Sequence, residues 1–335
     1  MVSGRAPVLE IEHLSVGLGI GGRVVPALDD VSFSIRRGEA LGLIGESGSG
    51  KSLTGLSVPG LLPANARITG GSIRLLGAEL VGRPEVELNR LRARAVAFVF
   101  QNPTTYLNPV LTIGRQISEL FEASPELLEA EGGLSSREKK KLAWRKSVEA
   151  LGLVKIPDPE RVARQYPFEL SGGMQQRAVI AMGLVRRPHL VIADEITTAL
   201  DVTVQAQILR LLAELRQSIE MTLLLITHDL GIVAQLADRV AVMYSGRIVE
   251  CANVRALFRE PRHPYSKALL EAVPTLRDGN TIFRAIPGSI PAITNPPRGC
   301  RFHPRCGRAF GPCPIDRPSE IALDDGHSVA CHLYG

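Results

Sequence analysis

Residues Gly45-Glu46-Ser47-Gly48-Ser49-Gly50-Lys51-Ser52 fit the pattern G-x-x-x-x-G-K-S/T. Glycines allow backbone N–H groups to turn inward around phosphate oxygens, and the start of a helix favours negative charge. In this pattern the lysine reaches the β/γ-phosphates and the hydroxyl ligates Mg²⁺. Ser47, Gly48, Ser49, Gly50, Lys51 and Ser52 are therefore candidate nucleotide-binding residues. The plain alternative is a chance glycine-rich turn. It is disfavoured because the apolar run Ala40–Ile44 precedes the pattern and a helical pattern follows it.

A second constellation is Leu190-Val191-Ile192-Ala193-Asp194-Glu195, an apolar strand that ends in two acids. Taken alone it reads equally well as a strand followed by a solvated turn. Beside a phosphate loop, Asp194 becomes a candidate Mg²⁺ ligand and Glu195 a general base for an attacking water. Leu170-Ser171-Gly172-Gly173-Met174-Gln175-Gln176 opens a helix. Ser171, Gly172 and Gly173 could bind phosphate there, although a bare Ser-Gly-Gly is equally an ordinary helix cap. Gln101 and His228 each follow an apolar run, at places where they could reach Mg²⁺, water or a γ-phosphate. A lone glutamine or histidine would carry no such meaning.

Four of the five cysteines, Cys300, Cys306, Cys313 and Cys331, crowd the last 36 residues. Five, six and seventeen residues separate successive members. In a reducing compartment such clustering favours a metal or cluster site over disulfides. Zinc sites pair cysteines two to four residues apart, and that tight pairing is missing. Four thiolates also suit a 4Fe–4S cluster, whose charge Arg298, Arg301, Arg305 and Arg308 could offset. Spacing leaves the cluster, zinc, and free or oxidised thiols all open. Cys251 reads as a buried structural thiol beside a strand.

The elements that must position these groups follow from hydrophobic periodicity. Val8–Val16 and Val31–Ile35 read as strands, with a glycine-rich turn (Gly17, Gly19, Gly21, Gly22) between them. Ala40–Ile44 is a buried strand, and Ser52–Leu62 a helix interrupted by Pro59. Ala95–Phe100, Leu190–Ala193, Thr222–Thr227 and Arg239–Tyr244 are further strands. Helical patterns cover Thr112–Glu122, Ser135–Leu151, Gly172–Arg187 and Val202–Ile219, and Ser135 with Glu138 forms a capping box. Short helices are expected at Val254–Arg259 and Ser266–Ala272. From Pro287 onward no periodicity is visible, and that stretch reads as needing a staple. The alternation predicts an α/β fold with a largely parallel sheet and helices on both faces.

Composition narrows the function. At 335 residues the chain holds one large domain plus something smaller, or two domains. With 45% hydrophobic and 22% charged residues it is not a disordered chain. No apolar run approaches the roughly 18 residues of a membrane span, and no secretory signal is evident. These features predict a cytoplasmic protein. The excess of 39 Lys+Arg over 34 Asp+Glu gives only +5, and only seven of those cations are lysine. That is too little charge to argue for nucleic-acid binding.

Taken together and in this order, the phosphate loop, Gln101, Leu170–Gln175, Asp194-Glu195, Ala199-Leu200-Asp201 and His228 resemble the ABC transporter ATPases over nearly the whole chain. Within that family, Phe100-Gln101-Asn102-Pro103, Leu107-Asn108-Pro109, Tyr166–Met174, His263-Pro264-Tyr265 with Ala268-Leu269-Leu270, and Asn295–Cys306 are similar to the peptide/nickel importers, oligopeptide and dipeptide import ATPases among them. The resemblance implies a P-loop ABC ATPase core with a mostly parallel sheet and N-terminal antiparallel strands. It implies a helical subdomain insert at about 102–188 within a nucleotide-binding domain spanning 1–250, and a small Cys-rich C-terminal extension over 251–335.

It also implies a head-to-tail dimer with two ATP molecules at the interface. Ser171 and Gly173 would contact the partner's γ-phosphate, and Asp201 would communicate across the interface. Ser52, Gln101 and Asp194 would hold Mg²⁺, and Glu195, Gln101 and His228 would serve hydrolysis. The implied partners are a second, different ATPase chain, two transmembrane permease subunits and an extracytoplasmic solute-binding protein, without nucleic acid. The implied location is the cytoplasmic face of the membrane. The related importers favour a 4Fe–4S cluster at the four cysteines. A soluble ABC ATPase acting on nucleic acid or ribosomes, and an ABC exporter subunit, are the alternatives. The first lacks support because there is no heptad run and only one phosphate loop. The importer-like tail argues against the second.

Four positions depart from the family pattern. Ile196 replaces a proline after the glutamate, Phe168 a histidine, and Tyr106 a serine. Leu18 stands where an adenine-stacking ring is expected.

Overall fold

The computed structural model describes residues 6–128, 134–197, 201–273, 275–277, 280–282, 285–323 and 326–335. In chain order the elements begin β1 (Pro7–Ile20), β2 (Arg23–Arg36), β3 (Ala40–Ile44), α1 (Lys51–Ser57), β4 (Ala66–Leu75), β5 (Ala78–Glu79), α2 (Glu85–Ala95) and β6 (Val96–Val99). They continue with α3 (Ile113–Glu122), α4 (Ser136–Leu153), α5 (Pro159–Ala163), α6 (Gly172–Leu184), β7 (Leu190–Asp194), α7 (Val202–Ser218), β8 (Leu223–Ile226), α8 (Leu230–Leu236) and β9 (Arg239–Tyr244). Last come β10 (Arg247–Asn253), α9 (Val254–Arg259), α10 (Pro264–Glu271), β11 (Thr275–Arg277), β12 (Asn280–Ile282), β13 (Glu320–Ala322) and β14 (Ser328–Ala330). The chain divides into two compact units, residues 1–83 with 224–335 and residues 84–223.

In the first unit, β2-β1-β4-β5 form an antiparallel sheet. Its inner face buries Leu9, Ile11, Leu14, Val16, Val31, Ile35, Ile73 and Leu75. A second sheet runs β13-β14-β10-β9-β3-β8. Strand β3 pairs with β9 in parallel. Strands β3, β8 and nearly all of β9 are buried on both faces, which is why they read as continuous apolar runs.

In the second unit β6 pairs in parallel with β7. Helices α3 to α6 bury Ile113, Ile117, Phe121, Leu142, Leu151 and Ile180. Ser135 caps α4 in the expected capping box with Glu138.

Several expectations need correction. Gly17 and Gly19 lie within β1, and the turn is confined to Gly21 and Gly22, both at positive φ. Helix α1 stops at Ser57, two residues before Pro59. One side of the second sheet is antiparallel, because β10, β14 and β13 add by hairpin-like pairing. The segment from Pro287 therefore contributes two strands to a sheet. Each is three residues long, too short to show alternation. Strand β4 and helix α2 were absent from the expectations. The first is half-exposed and interrupted by Gly70 and Gly71, and the second is mostly exposed, with six polar or charged side chains among its eleven residues.

Candidate functional site

In the first unit the candidate phosphate cradle is the loop between β3 and α1. Gly45, Gly48 and Gly50 all adopt positive φ. At Gly45 a Cβ would stand 2.1 Å from the Met243 carbonyl oxygen, so only glycine fits. The Ser49 carbonyl accepts a 2.7 Å hydrogen bond from the Gly246 N–H. Lys51 is 5% exposed and its Nζ donates to the carbonyls of Gly45 (2.8 Å) and Glu46 (3.0 Å). Those carbonyls hold the ammonium over the loop. The Ser49 Oγ is buried without a hydrogen-bond partner, a polar group that a phosphate oxygen would satisfy. Ser52 is exposed at the start of α1, and Ser47 and Gly48 are exposed on the loop. These residues fit a nucleotide triphosphate with Mg²⁺.

His228 follows β8, whose end lies beside β3: the Thr227 N–H donates to the Leu43 carbonyl at 3.3 Å. Asp229 caps α8 with its carboxylate, and its own N–H donates to the Thr227 hydroxyl at 3.0 Å. His228 is thereby held exposed at the strand end.

In the second unit β7 brings Asp194 and Glu195 to its carboxyl end, both half-buried. Glu195 adopts φ 48°, a left-handed conformation that costs a non-glycine residue roughly 1 kcal/mol or more. Its Oε2 accepts a 3.2 Å hydrogen bond from Gln101 Nε2. This contact was not among the expectations, which gave Gln101 a role toward Mg²⁺ and water only. Ile196 is 3% exposed, so the side chain in the proline position anchors the turn by burial. The Tyr106 ring stacks on Phe100 at 4.1 Å, and burial and the Asp194 charge raise its phenol above the ordinary value.

Ser171 caps α6, accepting from the Met174 N–H. Gly172 is exposed, and Gly173 packs where a Cβ would meet Val204 Cγ1 at 2.5 Å. Asp201 caps α7 by accepting from the Val204 N–H at 2.9 Å. Ala199 and Leu200 lie outside the described residues.

The four tail cysteines are free thiols that line one pocket, with His263, Phe302, His303, Arg308 and His332. The Cys300 N–H donates to the Cys313 carbonyl at 2.8 Å. Burial, then the neighbouring Cys331, Cys313 and Cys306, push the Cys300 thiol up to about 11. Burial raises Cys306 and Cys331 as well. Among the described residues no three of His, Cys, Asp and Glu stand at the spacing one metal ion requires. Two of the four arginines expected to balance a cluster point elsewhere. Arg301 pairs with Asp29, and Arg305 with Glu46. Arg308 lines the thiol pocket. Cys251 is buried in β10, as expected.

The model of the ABC transporter family matches residues 28–198, and that of the oligopeptide/dipeptide transporter C-terminal region matches residues 249–313. The oligopeptide transport ATP-binding protein AppD of Bacillus subtilis is 44% identical over 98% of this chain and 97% of its own. The OppD protein of Escherichia coli is 45% identical over 97% and 92%. This chain belongs to the ABC transporter ATPases. Its fold agrees. The ATP-binding cassette MJ0796, in a dimeric post-hydrolysis state bound to ADP and phosphate, matches at TM-score 0.61 and 26% identity, over 74% of this chain and 99% of that one. The cbiO1 subunit from Clostridium perfringens matches at TM-score 0.62 and 27% identity, over 76% and 91%. This ABC ATPase therefore hydrolyses ATP in service of transport.

Sequence reasoning missed what holds Glu46, the second residue of the phosphate loop. Its N–H donates to the Tyr265 hydroxyl at 2.8 Å, and its carboxylate takes two bonds from Arg305. Tyr265 stands in a segment marked by family resemblance alone, and Arg305 reads from sequence as a counter-charge for a cluster. Separations of 219 and 259 residues hide such contacts from any local pattern.

Proposed function

We propose that this ABC ATPase powers the uptake of oligopeptides or a related small solute. The single observation that carries this reading is the match of residues 249–313 to the oligopeptide/dipeptide transporter C-terminal region. Near full-length similarity to two oligopeptide transport ATP-binding proteins supports it. The chain works at the cytoplasmic face of the membrane, bound to two permease subunits and served by a solute-binding protein. No helix among the described residues is long and apolar enough to cross a membrane, which agrees with a separate membrane partner. Exposed Tyr106, Val110 and Phe168 are candidate docking side chains for it.

In this reading Ser47 to Lys51 bind the ATP phosphates through backbone N–H groups and the Lys51 ammonium. Ser52, Gln101 and Asp194 would hold Mg²⁺, which supplies charge neutralisation on the phosphates when bound. Glu195 takes the proton of the attacking water, and its hydrogen bond from Gln101 orients the carboxylate. His228 approaches the γ-phosphate. Ser171, Gly172 and Gly173 serve the partner subunit's nucleotide, and Asp201 lies at the dimer interface. The second ATPase is a different chain. Leu18, half-buried on β1 in place of an aromatic ring, favours two unequal adenine sites.

The domain division is 1–250 for nucleotide binding and 251–335 for a Cys-rich extension. Cys300, Cys306, Cys313 and Cys331 are suited to a 4Fe–4S cluster. What supports this reading is that the four free thiols line one pocket.

Uptake of labelled oligopeptides by vesicles carrying the full assembly tests the reading. Wild type should accumulate peptide with ATP, and Lys51→Ala should not. ATP-dependent export, or no peptide transport, would contradict it.

A further inference from the structure

We infer that Arg305 of the tail is a positioning residue for the phosphate loop, and that it sets ATP affinity by neutralising Glu46. The Arg305 side chain is 4% exposed. Its Nη1 and Nη2 reach the two Glu46 carboxylate oxygens at 2.7 and 3.0 Å, a bidentate fork. The remaining donors are also engaged. Nε donates to the Pro287 carbonyl at 2.8 Å, Nη2 to the Ile286 carbonyl at 3.3 Å, and Nη1 to the Tyr244 hydroxyl at 3.3 Å. The guanidinium also stands 5.8 Å from the centre of the Tyr244 ring. It is fixed by five hydrogen bonds and has one orientation.

What it fixes is the residue after Gly45. The Glu46 backbone is held from the other side by the Tyr265 hydroxyl, and the Glu46 carbonyl is one of the two that hold Lys51 Nζ. The loop that receives phosphates thus carries a carboxylate of its own. A carboxylate beside a phosphate site repels the ligand and costs affinity unless a cation balances it. Arg305 supplies that cation from outside the loop. A lysine could supply the charge, but not the planar fork that fixes the carboxylate. The segment 286–306 is by this argument part of the nucleotide site, although its fold role is that of a tail. Arg305 adjoins Cys306, so the state of the thiol pocket and the order of the clamp are joined by one peptide bond.

The inference rests on the loop being the ATP site. The test is equilibrium binding of ATP with Mg²⁺ to the full-length chain, in 0.1 M salt, for wild type, Arg305→Ala, Glu46→Gln and the double variant. One uncompensated like charge beside a partly solvated phosphate site costs on the order of tenfold in affinity, so Arg305→Ala should raise Kd by about that factor. Glu46→Gln should bind at least as tightly as wild type, to within about twofold. The double variant should return to within about threefold, because no charge is left unbalanced. Arg305→Lys, which keeps the charge, should stay within about threefold, and Arg305→Gln, which removes the charge but keeps a polar side chain, should weaken binding as alanine does and serves if the alanine variant does not fold.

Equal binding by wild type and Arg305→Ala would overturn the clamp. So would a double variant as weak as Arg305→Ala, since that loss would be one of packing. A tenfold loss in Glu46→Gln or Arg305→Lys would overturn the charge argument. A wild-type chain that binds no ATP would contradict the reading of the loop itself, a separate failure.

Discussion

Replacing Asp29 with alanine should loosen the tail from the sheet that carries it. Asp29 sits on β2 and accepts hydrogen bonds from Arg247 Nε at 2.9 Å and Nη2 at 2.6 Å, and from Arg301 Nη2 at 2.5 Å, with Arg317 at 3.7 Å. Burial acts to raise the Asp29 carboxyl, but the hydrogen bonds and charge of Arg247, with the charges of Arg301 and Arg317, outweigh it and hold the group below its ordinary value. Arg301 is 6% exposed, and burial lowers its own guanidinium to about 10. One carboxylate therefore balances two arginines of low exposure.

Breaking a buried pair from one side costs about 3–5 kcal/mol. Asp29 keeps 27% exposure, so water recovers part of that, and about 2–3 kcal/mol is expected for Asp29→Ala. Arg317→Ala, at a 41% exposed side chain, should cost under about 1 kcal/mol. The assays are urea unfolding and limited proteolysis of residues 285–335. Because the folded carboxyl lies below its unfolded value, its contribution is present at neutral pH. It is lost as pH falls from the ordinary carboxylate range through the folded value. A loss under about 0.5 kcal/mol in Asp29→Ala, with no faster tail cleavage, would refute the reasoning.

Two further outcomes are expected. His263 is buried and accepts the Tyr265 N–H at 3.0 Å, and burial lowers its imidazole to about 3. The unfolded chain therefore takes up a proton below about pH 6.5 that the folded chain refuses, and stability should fall by about 1.4 kcal/mol per pH unit there. Urea unfolding at pH 7.5 and 5.5 measures it, and His263→Asn should remove that share of the slope. Anaerobically purified protein should carry near-equal iron and acid-labile sulfide, about four of each per chain, and Cys306→Ser should lose them; zinc or no metal in the wild type would refute the cluster.

The phosphate loop, the acidic strand end and the cap of α4 were legible because each is local. Ala40–Ile44 and Arg239–Tyr244 were bounded correctly because strands buried on both faces are apolar throughout. The hydrogen bond between Gln101 and Glu195 was not legible, since 94 residues separate the pair. Strand β10 was only glimpsed beside Cys251, and β13 and β14 were invisible, because their pairing partners lie far along the chain and their own patterns are short. The Asp29 and Glu46 clamps were hidden for the same reason. The tail arginines were read as counter-charges for a cluster because they adjoin cysteines. In the fold, the nearest unbalanced carboxylates on β2 and the phosphate loop take two of them.

The central claim is that this chain is an ATP-hydrolysing transport motor in which Glu195 is the base. The most direct measurement compares ATP binding and steady-state turnover of wild type and Glu195→Gln in the full assembly. ATP affinity should be unchanged within about twofold, with turnover reduced by a factor of about 100 or more. Turnover at the wild-type rate would contradict the account.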